Sequence, residues 1–303
     1  METAEQLKKK IGSAEDLRDL VRTMKMLAVT NIRRFQEAVD ALADYYKTIE
    51  MGLQIALQSG RYDLGRWQED PAGKGRLGLV VFGTDQGLCG RYNEIAVDHT
   101  KEVVEVACEG ERPRGILCVG LRPALSLEHV YHAVDYTFPV PGFPTGVTRV
   151  VQEIVLTVQK WQAKDITRVI VVHNEMLRGV YYRPTHMPLL PLDKAWFTTH
   201  LEKPWPNKRV LPTFRQEPVA LLSSLIRQYL FFSLYRAQVE SLASENAARF
   251  LSMQTAEKNI EDRLEELRVT ANQQRQNSIT EELLDIVAGY EALGGSKIQM
   301  EPA

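Results

Sequence analysis

Apolar residues recur at alternating steps of four and three along the N-terminal stretch: Leu17, Val21, Met24, Ala28, Asn31, Phe35, Ala38, Leu42, Tyr45 and Ile49, with Asn31 the only break. A mean spacing of 3.5 residues keeps one seam turned toward a partner helix and predicts a left-handed supercoil. Arg18, Arg22, Arg33, Arg34, Glu37 and Asp40 fall on the other faces. A second, longer series runs through Leu221, Leu225, Tyr229, Phe232, Tyr235, Val239 and Leu242, and on through Phe250, Met253, Ala256, Ile260, Leu264, Leu267 and Ala271. It resumes at Ile279, Leu283, Ile286 and Tyr290 after a polar interval, 268–278 (RVTANQQRQNS). A buried seam does not contain such an interval, so the helix there is either exposed or faces a polar partner.

Helix breakers support this reading. Neither glycine nor proline occurs between Gly12 and Gly52, or between Pro218 and Gly289. At 1.5 Å per residue these stretches reach ~60 Å and ~105 Å as helices. Each is the obvious partner of the other, folded back antiparallel, with the longer one projecting and its tip near Gly289. The middle holds nearly all the prolines and most of the glycines. It alternates short apolar runs at 77–83, 116–120 and 167–174 with helical patterns at 93–110 and 147–161. Pro123 suits the start of a further helix. Alternating strands and helices predict a parallel sheet with crossover helices. Residues 180–192 are proline-rich and read as an edge strand or extended arm. The expected fold is therefore α+α/β: a long antiparallel coiled coil from the N- and C-terminal helices with an inserted Rossmann-like α/β domain. The expected parts are a shaft (1–59 and 214–293), a central domain (75–197), a loop (198–213) and a tail (294–303).

Composition removes whole classes without naming a function. The chain has 303 residues, 44% hydrophobic and 25% charged, with a formal net charge of −2, so nothing global marks a nucleic-acid binder. Cys89, Cys108 and Cys118 form no CxxC and no disulfide framework. No run of 18 apolar residues predicts a direct membrane span, and METAEQLKKKIG lacks the apolar stretch of a signal peptide.

The α/β middle invites a nucleotide-site reading, but GTDQGLCG (83–90) matches neither GxGxxG nor GxxxxGK[ST], and AGKGR (72–76) has Gly75 where a metal-binding hydroxyl belongs. No cofactor is expected. Cys89 follows a strand, where a nucleophile could be presented, but no base is evident beside it. His129 and His132 lack further metal ligands nearby, and Glu265 and Glu266 read as a solvated helix face. Arg249, Arg275, Gln276 and Thr280 belong to a helix with few apolar anchors near its tip. They are either solvated or placed to make remakeable contacts with a polar collar. A stand-alone α/β enzyme using the Cys89 loop and a passive coiled-coil scaffold are the alternative readings.

Three blocks carry a resemblance. TMKMLAV (23–29), FGTDQGLCGRYN (82–93), and the pair VESLASENAARFLSMQTAEKNIEDRLEEL (239–267) and NQQRQNSITEELLDIVAGYEAL (272–293) occur in the order and spacing of one family. The chain resembles the gamma subunit of F-type rotary ATP synthases over nearly its whole length. The resemblance implies a non-catalytic rotor shaft inside a ring of alternating alpha and beta subunits. It implies a central domain that meets the epsilon subunit and the c ring, at the cytoplasmic face of a bacterial membrane. It assigns rotor–stator contacts to Met24, Arg249, Arg275, Gln276 and Thr280. It assigns a family loop to Asp85, Gly87, Leu88, Cys89 and Gly90, and a foot near the c ring to Phe214, Arg215 and Glu217. Gln86, Arg91, Tyr92, Arg215 and Tyr290 depart from the family pattern and point to a divergent branch of the alternate, sodium-type kind. The coupling-ion site lies in other subunits.

Overall fold

The computed structural model describes residues 4–58, 75–108, 112–177, 179–192, 196–198 and 214–294. Two helices flank a sheet domain: α1 (Ala4–Gln58) with 55 residues and, at the other end, a helix Pro218–Gly294 with 77. Between them lie β1 (Leu77–Phe82), α2 (Tyr92–Cys108), β2 (Gly115–Val119), α3 (Leu121–Tyr131), β3 (Tyr136–Phe138), α4 (Pro144–Gln162), β4 (Arg168–Met176) and β5 (Tyr182–Leu190), so the last helix is α5.

Both long helices overrun the glycines expected to bound them. α1 passes through Gly12 and Gly52, and α5 through Gly289, which is therefore not its end. At Gly52 a Cβ would stand 3.1 Å from Leu225 Cδ2, so the missing side chain lets the two helices approach. Pro218 opens α5 at a position where its absent N–H costs nothing. The Glu217 carboxylate accepts the Ala220 amide at 2.8 Å, which caps this end.

The sheet order is β3-β2-β1-β4-β5, parallel except for the antiparallel edge strand β5. β3 was not anticipated, being only three residues long. Alternate residues of the sheet serve two cores. Leu79, Val81, Ile116, Cys118 and Val172 pack with Val97 and Val104 of α2 and Ala124 and Leu127 of α3. Val80, Phe82, Leu117, Val119 and Val171 pack with Val151, Ile154 and Val158 of α4, and with Phe35, Ile49, Leu53, Leu230 and Leu234 of the long helices. Trp161 of α4 lies against the paired Gly78 and Gly115, where a Cβ on either would stand 2.8 Å from the indole.

The heptad of α1 is only half buried. Val21, Ala28, Phe35 and Ile49 are buried, as are Leu7 and Ala56 in the same register. Leu17 and Tyr45 of the other seam are about half exposed. Tyr45 is nonetheless engaged, its ring 4.5 Å from that of Phe232.

The chain divides into two compact units, Met1–Lys25 with Met253–Ala303, and Met26–Ser252. This division cuts both long helices and does not follow the expected boundaries at 59, 75, 197 and 214. In the first unit Arg22 donates to Glu257 (2.6 Å) and Glu261 (2.8 Å), Lys25 also donates to Glu257, and Arg268 donates to Glu15 (2.5 Å). Advancing along α1 from 15 to 25 thus retreats along α5 from 268 to 257, which is antiparallel pairing. In the second unit the partners Asn31–Asn246, Tyr45–Phe232 and Tyr46–Tyr229 run antiparallel too. Residues 199–213 of the expected loop and 295–303 of the expected tail lie outside the described residues.

Candidate functional site

In an open α/β sheet, ligands bind outside the carboxyl ends of the strands where strand order reverses. Here that point lies between β1 and β4, with the family loop 83–90 at its rim. The crevice is filled from within the chain. Tyr92, fully buried, donates its hydroxyl hydrogen to the Ser241 carbonyl of α5 (2.7 Å) and lies 2.8 Å from Ser241 Oγ. The Asn174 side-chain Nδ2 of β4 donates to the Tyr92 carbonyl (3.2 Å), and the Ser244 hydroxyl of α5 donates to the Asn174 backbone carbonyl (2.9 Å). Burial drives the Tyr92 phenol far above its ordinary pKa, so it stays a neutral donor. Strand, loop and long helix are joined where a nucleotide would otherwise sit.

The family loop holds this end of the sheet together. Asp85 accepts the Leu121 amide at Oδ1 (2.9 Å) and the Val140 amide at Oδ2 (2.8 Å). It thereby ties the start of α3 to the segment before α4. Thr84 donates its amide to Asn93 Oδ1 (3.0 Å) and its hydroxyl to the Gln86 carbonyl (2.7 Å), while Asn93 donates to Thr84 Oγ1 (2.8 Å). Gly90 is in the left-handed region (φ 59), as is Leu88 (φ 64), whose side chain is exposed. Gly87 approaches Arg122.

Cys89 is not placed as a nucleophile. It is buried, and burial pushes its thiol up, outweighing the Thr84 hydroxyl that favours the thiolate. Its polar neighbours are Thr84, Asn93 and the Gln86 carbonyl, none of them a base. His129 and His132 are exposed, and among the described residues no group of three or more His, Cys, Asp or Glu is arranged to hold a metal.

The expected rotor contacts occupy several environments. Met24 is half-buried in the first unit. Arg275, Gln276 and Thr280 are exposed, and the Thr280 hydroxyl donates to the Gln276 carbonyl (2.9 Å). Arg249 does not belong to the exposed tip. Its side chain is 14% exposed and pairs with Glu245 at 2.8 Å. Both line a polar cavity of about 180 Å³ with Asp85, Asn31 and Asn246. Burial raises the pKa of the Glu245 carboxyl against the pull of Arg249. Phe214 is half-buried and Arg215 exposed beside the capping Glu217.

Two features escaped the sequence reading. The first is a charged clasp. Glu240 of α5 lies 3.1 Å from His173 Nε2 of β4 and accepts from Arg236 Nε at 2.7 Å. Burial pushes Glu240 up, but His173 and Arg236 together hold it below its ordinary value. A depressed carboxylate contributes stability above its unfolded pKa and loses it as pH falls through the folded one. Acid unfolding is therefore expected to weaken in Glu240→Gln. The variant starts less stable at pH 7 but loses less stability from about pH 5 downward, read as urea midpoints across that range. Parallel pH profiles for the two proteins would contradict the clasp.

The second is the end of α5. Val269, Ile279, Leu283, Leu284, Ile286, Val287 and Tyr290 are all exposed, Tyr290 by 78%. The polar interval is mostly exposed in the isolated chain, and beyond it exposed Ile279, Leu283, Leu284, Ile286, Val287 and Tyr290 are interspersed with exposed Thr280, Glu281, Glu282 and Asp285. Among the described residues no helix is long and apolar enough to cross a membrane.

A family model described as ATP synthase matches residues 3–293. The ATP synthase gamma chain of Buchnera aphidicola subsp. Diuraphis noxia is 25% identical over 293 residues, covering 97% of this chain and 99% of the relative. The central stalk/c-ring structure of the Tetrahymena thermophila mitochondrial ATP synthase gives a TM-score of 0.55 at 22% identity, over 78% of this chain and 99% of that one. The rotor of the Euglena gracilis mitochondrial ATP synthase gives 0.62 at 16% identity, over 91% and 98%. A second structure of the Euglena enzyme, titled OSCP/F1/c-ring, gives 0.63 at 15% identity, over 99% and 98%. These structures share the fold of paired terminal helices around a sheet domain, and with a family model matched from residue 3 to 293 the chain belongs to the ATP synthase gamma family.

Proposed function

We infer that this chain is the central-stalk gamma subunit of an F-type ATP synthase, a non-catalytic rotor that couples ion flow through a c ring to ATP synthesis or hydrolysis on beta subunits. The observation that carries this reading is the far end of α5. Beyond the polar interval, from Ile279 to Tyr290, it extends about 18 Å of helix with its large apolar residues exposed. Exposed apolar surface on that scale marks a place where another protein sits. A sleeve formed by alpha and beta subunits suits it, with Arg275, Gln276 and Thr280 in the polar stretch making bonds that break and re-form as the shaft turns. Met24 is assigned to a further rotor–stator contact, whereas Arg249, paired with Glu245 within the chain, could reach a stator subunit only from the rim of its own pocket.

A rotor must also hold its driven part rigidly to its shaft. The Tyr92–Ser241, Asn174–Ser244 and His173–Glu240 pairs supply that joint in the second unit. The foot residues Phe214, Arg215 and Glu217 are assigned to the c ring, and the central domain, including the loop from Asp85 to Gly90, to the region met by the epsilon subunit. The functional division is then a shaft (1–59 and 214–293) and a central domain (75–197). The assembly belongs at the cytoplasmic face of a bacterial membrane, held there by other subunits.

Reconstitution tests the reading. The purified chain alone should not hydrolyse ATP. Mixed with its alpha and beta partners, it should enter the complex once per ring and yield ATPase activity. Hydrolysis by the isolated chain, or an active ring whose axis does not contain it, would refute the assignment.

A further inference from the structure

Away from the shaft and the crevice, two histidines distant in sequence meet across the second unit. His99 Nε2 of α2 and His186 Nδ1 of the edge strand β5 are 3.1 Å apart, with ring centroids at 5.2 Å. The other nitrogen of His99, Nδ1, lies 3.2 Å from Glu102 Oε2. A carboxylate accepts but does not donate, so this contact favours the proton on Nδ1 and leaves the Nε2 lone pair facing His186 Nδ1, to accept its hydrogen or, with that nitrogen also deprotonated, to share a metal ion with it. Carboxylate behind imidazole is the arrangement that orients metal-binding histidines and raises their basicity. The nitrogen separation also fits. Two imidazoles bound to one ion at about 2.0–2.1 Å have their nitrogens about 2.9 Å apart at a right angle and about 3.3 Å apart at a tetrahedral angle. The pair is open to water: His186 is exposed, and the His99 side chain is 18% exposed.

We propose that His99 and His186 form a binding site for a divalent transition-metal ion of the imidazole-preferring class, with Zn²⁺ as its representative, which bridges α2 to β5. Neutral nitrogen donors favour Zn²⁺, Ni²⁺ or Cu²⁺ over Mg²⁺ or Ca²⁺, which take oxygen ligands. Two protein ligands leave the remaining positions to water. A closed structural site takes four protein ligands, so this ion is exchangeable and responds to its free concentration. Its effect is local: β5 is the antiparallel edge of the sheet, and the ion pins that edge to the helix beside it. By mass action, free Zn²⁺ at ten times the dissociation constant favours the folded state about elevenfold.

The test uses the full-length, untagged chain stripped of metal with a chelator. Calorimetric titration with ZnCl₂ is expected to give one saturable site that is lost in His99→Ala and in His186→Ala. Glu102→Gln should weaken it about tenfold, and His129→Ala should leave it unchanged. Each variant is first matched to the parent by its metal-free melting temperature. Pulsed electron paramagnetic resonance on the Cu²⁺-loaded parent counts coordinated imidazoles without any substitution, and two are expected. No saturable binding, binding that survives loss of either histidine, or a count below two would overturn the proposal.

Discussion

Gly120→Ala is expected to destabilise the second unit by about 3 kcal/mol or more, enough to remove much of a typical domain's stability. Gly120 sits at φ 111, ψ 135, a region L-residues rarely enter. Space is closed as well. A Cβ there would stand 2.7 Å from the Thr84 amide nitrogen and 2.9 Å from the Gly83 carbonyl carbon. Those are backbone atoms of the loop after β1, which cannot rotate aside. Moving them would also disturb the bond from the Gly83 amide to the Val119 carbonyl (2.8 Å) and that from the Arg122 amide to the Thr84 carbonyl (3.0 Å). Gly289→Ala is the internal control. Gly289 lies within α5 with nothing within 4 Å of its absent Cβ, so alanine there should stabilise by about 0.5–1 kcal/mol. Urea midpoints of the two variants should shift in opposite directions. A Gly120→Ala protein that unfolds like the parent would contradict the account of this corner.

The second large effect should appear in assembly and not in folding. Leu283→Asp combined with Ile286→Asp places two charges on the exposed surface of α5, where the parent residues are 57% and 68% exposed. The isolated chain should unfold within about 0.5 kcal/mol of the parent, because surface substitutions of this kind touch no packed contact. Burying each parent side chain against a partner contributes about 1.5–3 kcal/mol. The double variant should therefore bind the alpha–beta ring at least about a hundredfold more weakly and lose ATPase activity in proportion. Arg275→Ala, in the polar interval, should do so to a smaller extent, since an exposed ion pair contributes little. Wild-type assembly by the double variant would remove the far end of α5 from the interface.

Much of the architecture was readable in advance because it rests on local periodicity. The seam through Val21, Ala28, Phe35 and Ile49 and the apolar runs of β1, β2 and β4 each declare themselves within a short window. β3 did not, because three residues of an edge strand carry no periodic signal. Gly12 and Gly52 looked like helix limits because a single glycine costs only about 1 kcal/mol, which packing elsewhere along a long helix readily offsets. The candidate site was readable only in part. The loop from Asp85 to Gly90 was visible as a block. That Asp85 accepts two amides depends on Leu121 and Val140, 36 and 55 residues away. Arg249 read as a surface arginine because its partner Glu245, one helical turn earlier, gives no hint that both are buried. The apolar residues at the end of α5 continue the seam's periodicity, and only the structure shows them uncovered.

The crevice closed by Tyr92 also bears on what this domain can sense. In a sheet whose switch point is open, occupancy follows the concentration of a dissolved ligand, and so does any stability that the ligand confers. Here the occupant is covalently part of the chain, present at one copy and never diluted. The free energy that a ligand would have supplied has become folding free energy, indifferent to metabolite levels. The joint between sheet and long helix is thus built into the chain, through Tyr92, Asn174, Ser241 and Ser244, and its strength is set by the sequence.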